Sequence, residues 1–161
     1  MEKRFIDKHA NNADIVTSGI EVSQYIGCGK IVFNTSMASK LSMEGEPVIL
    51  VKNHLFPEDV EAAKLSQGVL LAKRDTGIFA MLMSRTLKKS CILASNIDID
   101  EENSFMIVDN KKYKEGTVVS LDGHTGNVYL GAVPQVHRLG YNDLTRRELK
   151  KKSEKIYFKN N

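Results

Sequence analysis

An α/β domain with two sheet layers and one helical layer is what this sequence predicts, and three observations predict it. Strand-like and helix-like segments alternate between residues 30 and 94. Past Asn96 only short strand-like runs follow. Between the last two of those runs stands Asp122-Gly123-His124-Thr125-Gly126, a tight-turn sequence. Alternation implies strands covered by helices, and the β-rich second half supplies another sheet.

The first strand is expected over 30–33, an aliphatic run bounded by Gly29, and the next over 48–51, after the turn signal Gly45-Glu46-Pro47. A helix should start at Pro57-Glu58-Asp59-Val60. Proline suits a first helical turn, and two carboxylates there face the positive end of the helix dipole. A strand over 68–71, a helix over 78–88 and a strand over 91–94 complete the alternating half. The second half reads as strands over 105–108, 117–122 and 127–130, the last two forming the hairpin. Internal repeats and low-complexity segments are missing from the sequence.

At 161 residues the chain can bury one core, and 42% hydrophobic with 27% charged residues is an ordinary globular composition. Apolar runs such as 48–51 are too short to span a bilayer, which argues against a membrane partner. The opening MEKRFIDKHANNAD has charge but no apolar core of a secretory signal. Cys28 and Cys91 stand in no CxxC or Cys/His pattern, so two reduced thiols in a cytoplasmic protein are expected. From 141 to 161, seven basic residues face three acidic ones, a surplus of +4 in a chain whose net charge is +3. This tail could be a helix or partly disordered; Thr145-x-x-Glu148 matches a capping box. Its aromatics, Tyr141, Tyr157 and Phe158, are not interleaved with the basic residues as a base-stacking surface would need, so nucleic acid is not the expected partner.

Residues 68–85, GVLLAKRDTGIFAMLMSR, carry the functional question. They read as a strand, a short loop and the first turns of a helix. That layout suits phosphoryl groups, because free N–H groups and the dipole at a helix N-terminus stabilise an anion. The apolar helix beyond, with Ile78, Phe79, Met81, Leu82 and Met83, either packs into the core or leaves part of itself as a docking face.

From residue 15 to 134 the chain resembles the phosphohistidine swivelling domain of phosphoenolpyruvate-utilising enzymes of the pyruvate, phosphate dikinase type. The resemblance is carried by GCGKIVF (27–33), GEPVILVKNHLFPEDVEAA (45–63), residues 68–85, and EGTVVSLDGHTGNVYLGAVP (115–134), all in family order. It implies a three-layer β/β/α swivelling fold over 15–134, with residues 1–14 as an N-terminal extension and 135–161 as a basic tail. It also implies a courier role: a histidine in a GGxTSHxAxxAR motif accepts a phosphoryl group at one domain and delivers it at another.

The matching residues here are RDTGIFAMLMSR. Arg74 and Asp75 replace the two glycines, Gly77 and Ile78 replace the Thr-Ser pair, and Phe79 replaces the histidine; Arg85 keeps its place. A phenyl ring has no nucleophilic nitrogen. Asp75 or Thr76 would cap the helix itself, taking the donors a phosphate would use, and the Asp75 carboxylate would repel one. Arg74 is the feature that still favours an anion. Arg74, Asp75, Thr76, Gly77, Phe79 and Arg85 are therefore the candidate binding residues, with no catalytic residue among them. His54, before the Pro57 helix start, and His124, in the hairpin turn, are the weak substitutes for a phosphoacceptor. His9 and His137 lie outside the resembling region.

No cofactor or metal is expected, since none of the four histidines has a carboxylate or second histidine at ligand spacing. Neither GxxxxGK[ST] nor GxGxxG occurs. A delivery barrel of roughly 250 residues does not fit in this chain. Two expectations follow. The first is a stand-alone degenerate swivelling domain, non-catalytic, which binds a nucleotide-binding or phosphoenolpyruvate-binding partner chain. The second is a phosphotransfer component that works through another histidine with a separate partner.

Overall fold

The computed structural model describes residues 2–7, 14–72 and 78–139. Three strand–helix–strand units come first. Strand β1 (Glu2–Ile6) and β2 (Ile15–Ser23) lead into β3 (Ile26–Val32), α1 (Thr35–Met43), β4 (Val48–Lys52), α2 (Val60–Leu65), β5 (Gly68–Ala72), α3 (Ile78–Leu87) and β6 (Ser90–Ala94). Strands alone follow: β7 (Ile97–Asp100), β8 (Phe105–Val108), β9 (Lys111–Lys114), β10 (Val118–Asp122), β11 (Asn127–Leu130) and β12 (Gln135–Leu139). The change of rhythm at Asn96 is where the last helix of the described residues has just ended.

Seven strands close into a barrel in the order β10-β11-β2-β6-β5-β4-β3, with β10 pairing back onto β3. From β3 to β6 the pairing is parallel, each crossover carrying one helix; the remaining pairs are antiparallel. Two smaller sheets, β7-β8-β9 and β1-β12, complete the described strands.

Period-two alternation along the parallel strands builds two cores. In β4, Ile49 and Val51 join Ile31, Phe33, Leu70, Ile92, Met106 and Leu121 in one cluster. Val48 and Leu50 join Ala38, Ala62, Ala80 and Met83 from the three helices in the other. Those four of the five β4 residues are fully buried, which explains why 48–51 reads as an unbroken apolar run. Each such side chain contributes about 1.5–3 kcal/mol of burial.

Local chemistry sets the joints. Asn34 caps α1, its side chain accepting from Ser36 N at 2.7 Å and Met37 N at 3.2 Å. The expected helix start at Pro57 is instead a 3-10 turn, Pro57–Asp59, that feeds α2. Buried Asp59 accepts from Phe56 N at 2.8 Å, closing that turn. In the turn after β7, Asn103 donates to Asp100 through its side chain and backbone, which holds the Asp100 carboxyl below the usual carboxylate range. The 122–126 hairpin joins β10 to β11 as expected, with Gly126 at φ 81° donating to Asp122 O at 2.8 Å.

Residues 135–139, expected as the start of the tail, form β12 and pair antiparallel with β1 (Glu2↔Leu139 to Ile6↔Gln135). Their alternation is weak and carries a histidine and an arginine, so the pairing, not local propensity, makes the strand. Ile6 is buried with Tyr129 and Val133, tying that two-stranded sheet to the barrel. The segment from 141 onward, expected to be helical or disordered, lies outside the described residues. No helix among the described residues is long and apolar enough to cross a membrane.

Candidate functional site

The parallel strands have two ends, and the candidate residues divide between them. At the C-terminal ends lie Asn34 after β3, His54 after β4, and the start of α3 after β5. Arg74, Asp75, Thr76 and Gly77, between β5 and α3 in the sequence, lie outside the described residues. Phe79 is in the first turn of α3 and keeps 37% of its surface exposed. His54 is exposed, with its ring 6.1 Å from that of Phe56.

This end is apolar. Phe56 is 54%, Ile78 65% and Leu82 59% exposed. Ile78 and Leu82 are four residues apart on α3, and Phe79 and Leu82 three, so the three share a helix face. Met83 is buried and Met81 half-buried. The helix therefore does both things its sequence allowed: one side enters the core and the other remains bare.

Two residues of this end were not singled out in the sequence. Glu101, from the turn after β7, accepts from Asn53 N at 2.7 Å and pairs with Lys52 Nζ at 3.3 Å. Asn53 also donates from Nδ2 to Ile99 O at 3.1 Å. These contacts fix the loop that carries His54. A partner 48 residues away in the chain leaves no local signal.

Arg85 and His124 lie at the other end. Helix α3 runs back toward the start of β6, so Arg85 in its last turn stands beside the N-terminal ends of the strands. The hairpin reaches the same end because Asp122 pairs with Ile26 at the start of β3. Both residues line a cavity of about 860 Å³ together with Arg4, Tyr25, Lys88 and Lys89. His124 stacks on Phe5 with ring centroids 4.5 Å apart, and its Nε2 donates to Arg4 O at 2.9 Å. That bond requires the Nε2–H tautomer and occupies the nitrogen.

Cys28 is half-buried and Cys91 buried. No cluster of three or more His, Cys, Asp or Glu able to hold a metal occurs among the described residues. His9 lies outside the described residues, and His137 is in β12.

Comparison with known proteins now bears on this geometry. No protein-family model matches the chain. It is 31% identical over 132 residues to pyruvate, phosphate dikinase of Rhizobium meliloti, covering 81% of this chain and 15% of the dikinase. The chloroplastic enzyme of Mesembryanthemum crystallinum is 30% identical over 83% of this chain and 14% of its own. For the Rickettsia bellii enzyme the figures are 33%, 75% and 14%. This chain is related to one segment of these dikinases. It spans about a seventh of the length of the curated relatives it matches. The likeness agrees with the pyruvate, phosphate dikinase resemblance read from the sequence, and the mixed α/β architecture is compatible with an α/β domain.

Proposed function

We propose that this chain is a swivelling domain of the three-layer β/β/α kind that has lost its phosphohistidine and acts as a non-catalytic binding module. In this reading the parallel sheet, the helices on one side of it and the remaining strands on the other are the three layers. Phe79 stands where the dikinase-type domain has its phosphoacceptor.

One observation carries the proposal: the ring at the head of α3, partly open to solvent beside the C-terminal end of β5, is a phenyl ring. A phenyl group cannot form or break a P–N bond, so the position offers contact but no chemistry. The bare side of the same helix and the exposed Phe56 on the neighbouring strand's loop supply an apolar contact surface. Its partner is a nucleotide-binding or phosphoenolpyruvate-binding chain, which would meet the former courier face. A reducing cytosol suits the two thiols.

The test is phosphoryl uptake. The protein is incubated with ATP and phosphate, or with phosphoenolpyruvate, alongside a pyruvate, phosphate dikinase, and acid-labile phosphate is sought by mass spectrometry at neutral to basic pH. None is expected. Stoichiometric phosphohistidine at His54, which shares the edge with Phe79, or at His124 would overturn the reading and make the chain a phosphotransfer component. The single substitution Phe79→His should fold yet accept no phosphoryl group, because Asp75, Gly77 and Ile78 do not recreate the anion pocket.

A further inference from the structure

The cavity at the N-terminal ends of the parallel strands is charged in a way that the apolar edge is not. Arg4, Arg85, Lys88 and Lys89 line it, against the single carboxylate of Glu21, with Tyr25 on the same wall. Among the described residues none of the four cations lies within ion-pair distance of a carboxylate; the two ion pairs found there are Lys30–Glu46 and Lys52–Glu101. Four like charges held around one space repel one another, and an anion placed among them removes that repulsion.

The backbone that presents two of these cations is fixed, and at a cost. Lys88 has φ 56°, in the left-handed region where glycine is the usual residue after a helix. Lys89 N donates to Ser84 O at 3.0 Å, which closes the helix end around that strained lysine. Ser23 Oγ then donates to Lys89 O and anchors the turn to β2. On the opposite wall, the bond from His124 Nε2 to Arg4 O ties the backbone of Arg4 to the hairpin. Lys88 thus lines the cavity from a left-handed backbone on a pinned turn, which makes its ammonium group a candidate for a role there.

We propose that this cavity binds a small organic polyphosphate, a ligand with at least two phosphate groups. One phosphate can engage one or two of the cations, so four around a space of about 860 Å³ fit a longer anion. Arg85 suits bidentate contact with a phosphate, whereas Lys88 and Lys89 act as point charges. Tyr25, 36% exposed, offers a flat surface to the remainder of the ligand. The site is separate from the Phe79 edge and does not depend on what that edge does.

Titration calorimetry of the full chain with inorganic triphosphate, and separately with orthophosphate, at physiological salt tests this. Triphosphate should bind at least roughly ten-fold more tightly than orthophosphate, and Arg85→Gln and Lys88→Gly should each weaken it by roughly ten-fold, the loss of one charge-assisted contact. Lys88→Gly relieves the strained backbone, so a loss of binding there is not a loss of fold. Lys111→Gln, the same charge change on exposed β9, should leave the affinity as it was. The proposal is overturned by absence of binding at millimolar triphosphate, by equal affinity for the two anions, or by binding that survives Arg85→Gln and Lys88→Gly. The last result would move the anion to other basic residues, such as those beyond 140.

Discussion

The two ends of one parallel sheet differ in kind. At the C-terminal end the described residues include four exposed apolar side chains, Phe56, Ile78, Phe79 and Leu82, each open to a third or more. At the N-terminal end, Arg4, Arg85, Lys88 and Lys89 surround a cavity. Phe79 and Arg85 belong to the same ten-residue helix, six positions apart, about 9 Å along its axis. A single helix therefore presents hydrophobic surface at its head and positive charge at its foot. On the proposed reading, an α/β unit that gave up an anion site at one end still carries a cluster of positive charge at the other. Three of the four cations, Arg85, Lys88 and Lys89, also sit where the helix dipole favours them, in and just after the last turn.

The largest effect that would break this comparison is at Gly123. A methyl group there would stand 2.2 Å from Ser23 O and 2.3 Å from Tyr25 O, both backbone atoms. The hairpin cannot accept it without moving, and with the hairpin move His124, Tyr25 and the wall of the basic cavity. Gly123→Ala should cost about 3 kcal/mol or more in urea unfolding, at the upper end for single substitutions. A cost below about 1 kcal/mol would mean that the basic end is pliable and that its cations are not held in place.

The edge, more than the cavity, was legible in the sequence. Strands β4, β5 and β6, helix α3 and the β10–β11 hairpin follow from apolar runs and turn chemistry, and each is found within a residue or two of its expected bounds. Strand β9, Lys111–Lys114, carries three lysines and only Tyr113 turned partly inward, so its pairing with β8 makes it a strand where its composition could not. Helix α1 went unread because only Ala38 of its nine residues is fully buried, leaving little periodicity to see. The cavity has the least local signature of all. Arg4, Tyr25, Arg85 and His124 come from distant segments, and only closure of the barrel assembles them.

Glu101 gives the next effect, at the opposite end. Its carboxylate holds Asn53 N and Lys52 Nζ, with side chains that are mostly shielded from solvent. Glu101→Ala should cost about 1–2 kcal/mol, as expected for losing a charge-assisted bond to a half-buried backbone N–H. Triphosphate affinity at the cavity should stay the same. If it falls with Glu101, the two ends are coupled through the sheet and cannot be treated as independent.

Lys88→Gly should work in the other direction. Relief of the left-handed backbone favours the folded state, while glycine's greater freedom when unfolded takes part of that gain back. The net should be a stabilisation of about 0.5 kcal/mol, read as a small rise in the denaturation midpoint. Stability and polyphosphate affinity would then move in opposite directions in one variant. A destabilised Lys88→Gly would show that the lysine side chain packs against the fold, and that its place at the helix end is structural.

The smallest effect concerns the apolar edge itself. Phe56 and Leu82 are 54% and 59% exposed, so replacing both with glutamine removes little buried surface, and glutamine keeps the helical preference of leucine in α3. The double variant Phe56→Gln, Leu82→Gln should unfold within about 0.5 kcal/mol of the parent, the usual range for surface changes. Its binding to a partner chain through the Phe79 edge should nonetheless be lost, since apolar contact is what that surface has to offer. Calorimetric unfolding alongside a pull-down with a dikinase nucleotide-binding domain separates the two readouts. An unfolding midpoint lowered by several degrees would show that these side chains are covered within the folded chain. The edge would then be core, and the contrast between the two ends would reduce to the charge of the cavity alone.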